Sequence, residues 1–258
     1  MTLWTWWWAG RMGLGVETMP ISCEIESRKL RFVARLLGRR VKWRVRDSAS
    51  LSSLRRCGIP SELVPDLAFA NHRESSQPRD LTVVALVGSD YLGGEAVARL
   101  VRGVALAVKE RDLPTPISIV TMHTSLSGTS VGGDLDVANL LKNQLSECDV
   151  PDVQISSLTS FDDVCVLCER ASVVISARMH AGIAALCAGA RVGMLAYEEK
   201  HFSLMRDLDL GEYVIPITSE SSEISALAGR LVNADFRRFR ESASRYRTQL
   251  IDAEIASV

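Results

Sequence analysis

At 258 residues, with 30 basic against 31 acidic side chains, the chain is nearly neutral, and its overall charge points to no polyelectrolyte partner such as nucleic acid. No stretch reaches the roughly 20 apolar residues of a membrane span, and the tryptophan-rich start, Trp4 to Trp8, has neither a basic leader nor a long apolar core, so the chain reads as cytoplasmic. Six cysteines lack framework spacing, and Cys165-Val166-Leu167-Cys168 falls inside a helical pattern, so reduced core thiols are expected rather than a redox pair or a zinc site.

The first 80 residues read as a partial α/β unit: a Trp-rich strand candidate, Gly13-Leu14-Gly15-Val16, a helix near Glu24 to Leu37, and a strand Val41 to Val45. Arg35, Arg39 and Arg40, around Leu36-Leu37-Gly38, read as the wet end of that helix. Arg46-Asp47-Ser48-Ala49-Ser50-Leu51 then places a guanidinium where a strand gives way to a helix, with Asp47 or Ser48 as its cap. Local pairing of Arg46 with Asp47 would explain the same residues. Pro65-Asp66 suits a turn before a short strand, and the polar, proline-containing run from His72 to Asp80 reads as a linker.

From residue 81 onward, strand-like runs alternate with helical patterns. The strands are expected at Leu81 to Val87, Ile117 to Met122, Val153 to Ile155, Val173 to Ser176 and Val192 to Ala196. Helices are expected at Glu95 to Arg111, Leu135 to Glu147, Phe161 to Arg170 and His180 to Ala188, followed by a mostly helical tail from Ser219. The expectation is therefore two lobes with a cleft: residues 1–79, a partial Rossmann-like lobe, and residues 80–258, a doubly wound parallel sheet with a helical tail.

The segment Val173 to Leu186 holds the densest chemistry. An apolar run ends in Arg178-Met179-His180 at the start of an Ala/Leu-rich helix. In open α/β sheets ligands bind at the carboxyl ends of strands, where helix N–H groups and the dipole favour phosphate or carboxylate. Arg178 adds a planar fork for such an anion; pairing with a local carboxylate, with His180 as a cap, is the bland alternative. His123 closes the strand Ile117 to Met122 at the same sheet end, and Lys200 follows Tyr197-Glu198-Glu199 there. His72 and His201 occupy positions that do not by themselves argue for chemistry. Gly88-Ser89-Asp90-Tyr91-Leu92-Gly93-Gly94 lacks the spacing of a Walker loop or dinucleotide fingerprint. Ser127, Thr129 and Ser130 suit a sugar hydroxyl or a solvated loop equally.

With Arg46-Asp47, Pro65-Asp66-Leu67-Ala68-Phe69, Arg178-Met179-His180-Ala181 and Tyr197-Glu198-Glu199-Lys200 in this order, the chain resembles the polysaccharide pyruvyl transferase family from about Gly13 to Leu210. The family usually has leucine at the place of Met179. The resemblance implies a GT-B-like pair of Rossmann-like lobes and transfer of a pyruvyl group, as a ketal, from phosphoenolpyruvate to a pair of sugar hydroxyls in cell-surface glycan biosynthesis. Carried over by motif, Arg46, Arg178 and the Met179 backbone would hold the donor, with His123 and Lys200 as less specific matches, and His180 would transfer the proton. Phosphoenolpyruvate is then a co-substrate; the scheme requires no metal and no further cofactor.

The acceptor implied is a glycan or lipid-linked saccharide, compatible with peripheral association at the inner face of the membrane and with a homo-oligomer. Family members ordinarily begin well before the counterpart of Gly13, so the resemblance also implies a shortened N-terminal lobe. Two alternatives stay open: a GT-B-type nucleotide-sugar glycosyltransferase, and an inactive truncated scaffold or binding protein packing Trp4 to Trp8 against another subunit.

Overall fold

A computed structural model describes residues 8, 12, 16–23, 25, 29, 31–32, 35, 41–73, 75–88, 94–111, 113–122 and 133–255. Most of the tryptophan-rich start, the Gly13-Leu14-Gly15 run, much of the helix expected from Glu24 to Leu37, and His123, Ser127, Thr129 and Ser130 lie outside them. The chain divides into two compact units, Met1–Ala70 with Tyr246–Val258, and Asn71–Arg245. The sequence had suggested a division at 79/80 with the whole tail in the second lobe.

In the first unit, strands β1 (Val16–Glu17), β2 (Val41–Val45) and β3 (Ser61–Leu63) form a parallel sheet in that order. Val41, Trp43 and Val45 of β2 are buried with Leu54, Cys57 and Ile59. Helix α1 (Ser48–Arg56) starts where β2 ends because Asp47 caps it, accepting from the Ser50 backbone N–H at 2.8 Å. Pro65-Asp66 leads into a 3-10 turn, Leu67–Asn71, rather than a strand: Asp66 Oδ1 accepts from the Ala68 N–H at 3.0 Å, which curls the backbone. The strand in this region, β3, lies before that turn.

The second unit is a six-stranded, all-parallel sheet. Its strands are β4 (Leu81–Ala85), β5 (Ile117–Thr121), β6 (Val153–Ser157), β7 (Ala171–Ser176), β8 (Arg191–Ala196) and β9 (Val214–Pro216), in spatial order β6-β5-β4-β7-β8-β9. Every residue of β4, β5, β7 and β8 is buried, whereas the edge strands β6 and β9 are not. That is the pattern expected when helices cover both faces of the central strands. The connecting helices are α2 (Gly94–Glu110), α3 (Asp134–Glu147), α4 (Phe161–Cys168), α5 (Met179–Cys187), α6 (Glu199–Asp207) and α7 (Ser221–Val232), followed by the terminal α8 (Phe236–Ile255). The strand order reverses beside β4, which pairs with β5 on one side and β7 on the other. A crevice at the carboxyl ends of β4 and β7 is the binding place that such a reversal creates.

The run from His72 to Asp80 is not a free linker, because it is bonded to the second unit. The Arg73 N–H donates to the Cys187 carbonyl at 2.9 Å, and Arg79 donates to the carbonyls of Ala171 at 2.8 Å and Ala188 at 2.5 Å. Cys165 and Cys168 are free thiols in the core, and burial pushes the Cys165 thiol up to about 11 and that of Cys168 higher still. Both are therefore neutral and poor nucleophiles at ordinary pH.

Helix α2 packs on α7 at Gly103, where an added Cβ would fall 2.7 Å from Ile224 Cδ1 and 3.1 Å from the Ser221 Cα. The second neighbour is backbone and cannot swing aside. Gly103→Ala gains helix propensity of about 1 kcal/mol, yet overpacking costs on the order of 1–3 kcal/mol. The variant is expected to be less stable in urea unfolding, with a net gain in stability being the contrary result.

Candidate functional site

Strand β7 delivers its last residue, Ser176, into a tight turn. Ser176 Oγ donates to the Arg178 carbonyl at 2.7 Å and accepts from the Arg178 N–H at 3.1 Å, so one hydroxyl closes the turn from both sides. The Ala177 N–H donates to the Ala85 carbonyl of β4 at 2.7 Å, extending the strand pairing into the turn. Arg178 is then the N-cap of α5 in an extended backbone conformation, and Met179 is its buried first residue. The first N–H groups of α5 emerge at the carboxyl edge of the sheet, with the positive end of the helix dipole.

The guanidinium of Arg178 is largely buried and is paired with Asp134, the first residue of α3, whose side chain is 2% exposed. The same Asp134 oxygen accepts from the Gly88 N–H at 2.9 Å. Gly88 follows β4, so one carboxylate ties the ends of β4 and β7 to the start of α3. The carboxylate that pairs with Arg178 thus comes from 44 residues away in sequence. His180 is exposed on the first turn of α5.

The neighbouring turn after β8 carries Tyr197, Glu198, Glu199 and Lys200, and begins α6. The Lys200 ammonium is 2.6 Å from a Glu198 carboxylate oxygen, so its charge is partly answered locally. Behind it, His201 is fully buried, its ring 4.7 Å from that of Tyr197. The Nδ1 atom lies 3.2 Å from the Glu198 carbonyl, and since a carbonyl only accepts, Nδ1 carries the proton. Burial lowers the His201 pKa below its ordinary value of 6.5, and Lys200 lowers it further. The carbonyls of Glu198 and Ala177 oppose both effects.

Arg46 belongs to the first unit. Instead of pairing with Asp47, it forms an ion pair with Asp66 at 2.6 Å, while its Nε donates to Ser22 Oγ at 2.9 Å. Asp47 is committed to the α1 cap. Beside Arg46 lies a pocket of about 230 Å³ lined by Leu63, Pro65, Tyr246 and Gln249.

Of the residues singled out by sequence, Arg178, Met179, His180 and Lys200 follow the adjacent strands β7 and β8 at one sheet edge, Arg46 follows β2, and His123 is outside the described residues. Asp134 and Ser176 were not anticipated. Asp134 reads in sequence as an ordinary acid in the first turn of a helix, and Ser176 as the end of a buried strand. Among the described residues, no group of three or more His, Cys, Asp or Glu side chains is arranged to hold a metal ion, and no helix is long and apolar enough to cross a membrane.

A family model described as polysaccharide pyruvyl transferase matches residues 12–199. No curated protein matches the sequence. Among solved structures, the chain is similar to a pneumococcal O-GlcNAc transferase in complex with UDP and GlcNAc, at 12% identity and a TM-score of 0.58, covering 87% of this chain and 46% of that one. It is also similar to the UDP-GlcNAc 2-epimerase of Methanocaldococcus jannaschii, at 12% identity and a TM-score of 0.56, covering 94% and 72%. A third, sucrose-phosphate synthase of Thermosynechococcus elongatus, gives 15% identity and a TM-score of 0.52, covering 88% and 58%. At such identities the likeness is one of fold, that of Rossmann-like α/β units in GT-B enzymes, and the chain spans less than half the length of the first of these relatives.

His201 yields a stability test. Its folded pKa lies below the unfolded value of 6.5, so the unfolded chain takes up a proton that the folded one resists. Its share of stability is present above that value and is lost as pH falls through it toward the folded pKa. His201→Gln keeps a donor for the Glu198 carbonyl and cannot titrate in this range. Acidification from about pH 7.5 to about pH 5.5 is expected to lower the Tm of the parent protein more than that of the variant; equal slopes would show that the imidazole remains neutral without cost.

Proposed function

Since the chain belongs to the polysaccharide pyruvyl transferase family, we propose that it transfers a pyruvyl group from phosphoenolpyruvate to two hydroxyls of a saccharide, forming a ketal. The observation that carries this reading is the turn after β7, where Arg178, the amino end of α5 and His180 are presented together at the sheet's carboxyl edge. A donor with a phosphate and a carboxylate needs an arginine fork and backbone N–H groups. Its chemistry then needs an acid beside them. Lys200, on the next turn, adds a second cation.

In the proposed reaction His180 gives a proton to C3 of phosphoenolpyruvate, making C2 electrophilic. One sugar hydroxyl adds to C2, the bond from C2 to the phosphate oxygen breaks, and the second hydroxyl closes the ketal. The two hydroxyls release two protons: one restores His180 and the other leaves with phosphate, so the balance closes. Exposed on the first turn of α5, His180 can exchange its proton with water between turnovers. Arg178 and the helix terminus would stabilise the departing phosphate, the place where charge grows during the reaction. The acceptor would be a glycan or lipid-linked saccharide, in cell-surface polysaccharide assembly at the cytoplasmic side of the membrane.

Calorimetry with phosphoenolpyruvate, alongside UDP and UDP-sugars, tests the donor. Binding of phosphoenolpyruvate alone is expected; a folded sample that binds only the nucleotides would support a nucleotide-sugar transferase instead. With an acceptor supplied, phosphate release and an acid-labile ketal should appear together. His180→Ala is expected to lower turnover on the order of a hundred- to ten-thousand-fold, the range typical of general acid catalysis, with donor affinity changed only a few-fold. Unchanged turnover would remove His180 from the mechanism.

A further inference from the structure

We propose that Ser176 is a positioning residue of the donor site: its hydroxyl holds the peptide groups on both sides of Arg178, and so sets the direction in which Arg178 and the Met179 N–H are presented. This role rests on the donor reading above. Position 178 poses a difficulty that Ser176 answers. It is the N-cap of α5, a place usually given to Ser, Thr, Asp or Asn, whose side-chain oxygen steadies the first turn. Arginine has no acceptor atom, and Arg178 makes no side-chain cap bond. The steadying oxygen stands earlier instead, on the last residue of β7.

That oxygen has a firm base. Ser176 is fully buried, and its backbone is in register with Ala85 of β4 on one side and Met194 of β8 on the other. From there successive peptide groups are held in turn. The Ala177 N–H donates to the Ala85 carbonyl at 2.7 Å. The Arg178 N–H donates to Ser176 Oγ at 3.1 Å, while the Arg178 carbonyl accepts from the same hydroxyl at 2.7 Å and from the Gly182 N–H at 3.0 Å. A peptide group is planar and trans, so its carbonyl and the N–H that follows point opposite ways. Drawing the Arg178 carbonyl toward Gly182 therefore turns the Met179 N–H away from the body of α5. Fixing both flanking peptide groups also fixes the Cα–Cβ direction of Arg178.

A hydroxyl that only completed a buried turn would matter to stability alone. Ser172 is such a group: it lies near the other end of β7, is buried, and accepts from Arg191 Nη2 at 2.6 Å. Serine to alanine at either position removes one buried oxygen and no charge. A difference in anion binding between the two variants therefore reads geometry rather than electrostatics. Small displacements suffice, since misplacing a group by about 1 Å costs on the order of a hundredfold in rate.

Calorimetry with phosphoenolpyruvate compares the parent chain, Ser176→Ala and Ser172→Ala, with circular dichroism confirming folding. Ser176→Ala is expected to weaken binding about tenfold, the scale of a lost hydrogen bond, while Ser172→Ala stays within about twofold of the parent. Unchanged binding in Ser176→Ala, or an equal loss in both variants, overturns the positioning role. Without any ligand, backbone amide relaxation by NMR reads the two N–H directions in the same three proteins. Order parameters at Arg178 and Met179 are expected near about 0.85 in the parent and in Ser172→Ala, and toward about 0.6 in Ser176→Ala. A parent that binds no phosphoenolpyruvate but shows this loss of order sinks the donor reading and leaves the hold of Ser176 on the turn standing. Order parameters alike in the parent and Ser176→Ala overturn the role whatever the donor does.

Discussion

The arrangement of the second unit turns on one ion pair, Arg178 with Asp134, at the point where the strand order of the sheet reverses. A buried salt bridge is weak evidence for stability, because desolvating two charges costs about as much as their attraction returns. Hydrophobic residues of the same volume would hold β4, β7 and α3 together at least as well. What they would not supply is a guanidinium with a defined direction. The first unit repeats the device, since Arg46 also follows a strand and is also held by a nearly buried acid, Asp66. In both units a cation at a strand end is kept in place by a carboxylate brought from elsewhere in the sequence.

The opposite edge of the sheet makes the contrast instructive. Arg191 is buried there and Arg79 half-buried, but their partners are structural: Arg191 donates to Ser172 Oγ at 2.6 Å and to the carbonyls of Ser172 and Val232, and its guanidinium lies 4.1 Å over the Phe236 ring. Arg79 bonds the carbonyls of Ala171 and Ala188. Carbonyls and an aromatic face can only consume a guanidinium, and here they consume it. Burial lowers the pKa of both arginines, and among the described residues neither has a carboxylate hydrogen-bonded to it. At the carboxyl edge, Arg178 is instead paired with a carboxylate, that of Asp134. Two kinds of arginine thus mark the two ends of the same strands, one bonded to carbonyls and an aromatic face and one paired with an acid.

The central strands were legible in the sequence because they are buried on both faces and read as unbroken apolar runs. The expected Val173 to Ser176 sits inside β7, and the helices expected near Leu135 and His180 begin within one residue of α3 and α5. Less legible were β3, β9 and α6. Ser61–Leu63 and Val214–Pro216 are three-residue strands at sheet edges, too short to carry a period of two. Helix α6 opens with Glu199-Lys200 and buries its apolar face mainly through Leu204 and Met205, so its start looks like a polar loop. Site chemistry divided in the same way. Residues on one turn, such as Arg178 and His180, announce themselves by adjacency, whereas Asp134 and Asp66 reach their arginines only through the fold. Periodicity carries no information about a contact of that kind, so the sequence offered local pairing of Arg46 with Asp47 where the structure uses Asp66.

The turns after β7 and β8 also depend on each other, and His201 is the reason. Its ring is buried behind Tyr197, between the carbonyls of Glu198 in its own turn and Ala177 in the neighbouring one. Ala177 is the residue before Arg178, and its N–H is already committed to β4. The imidazole therefore packs where the backbone of one cation-bearing turn backs onto the other, and its neutrality matters, since a second buried positive charge would sit directly behind Arg178 and Lys200. Burial keeps that proton off. The same desolvation that leaves His201 unfit for acid catalysis near neutral pH suits it to supporting two turns without adding to their charge.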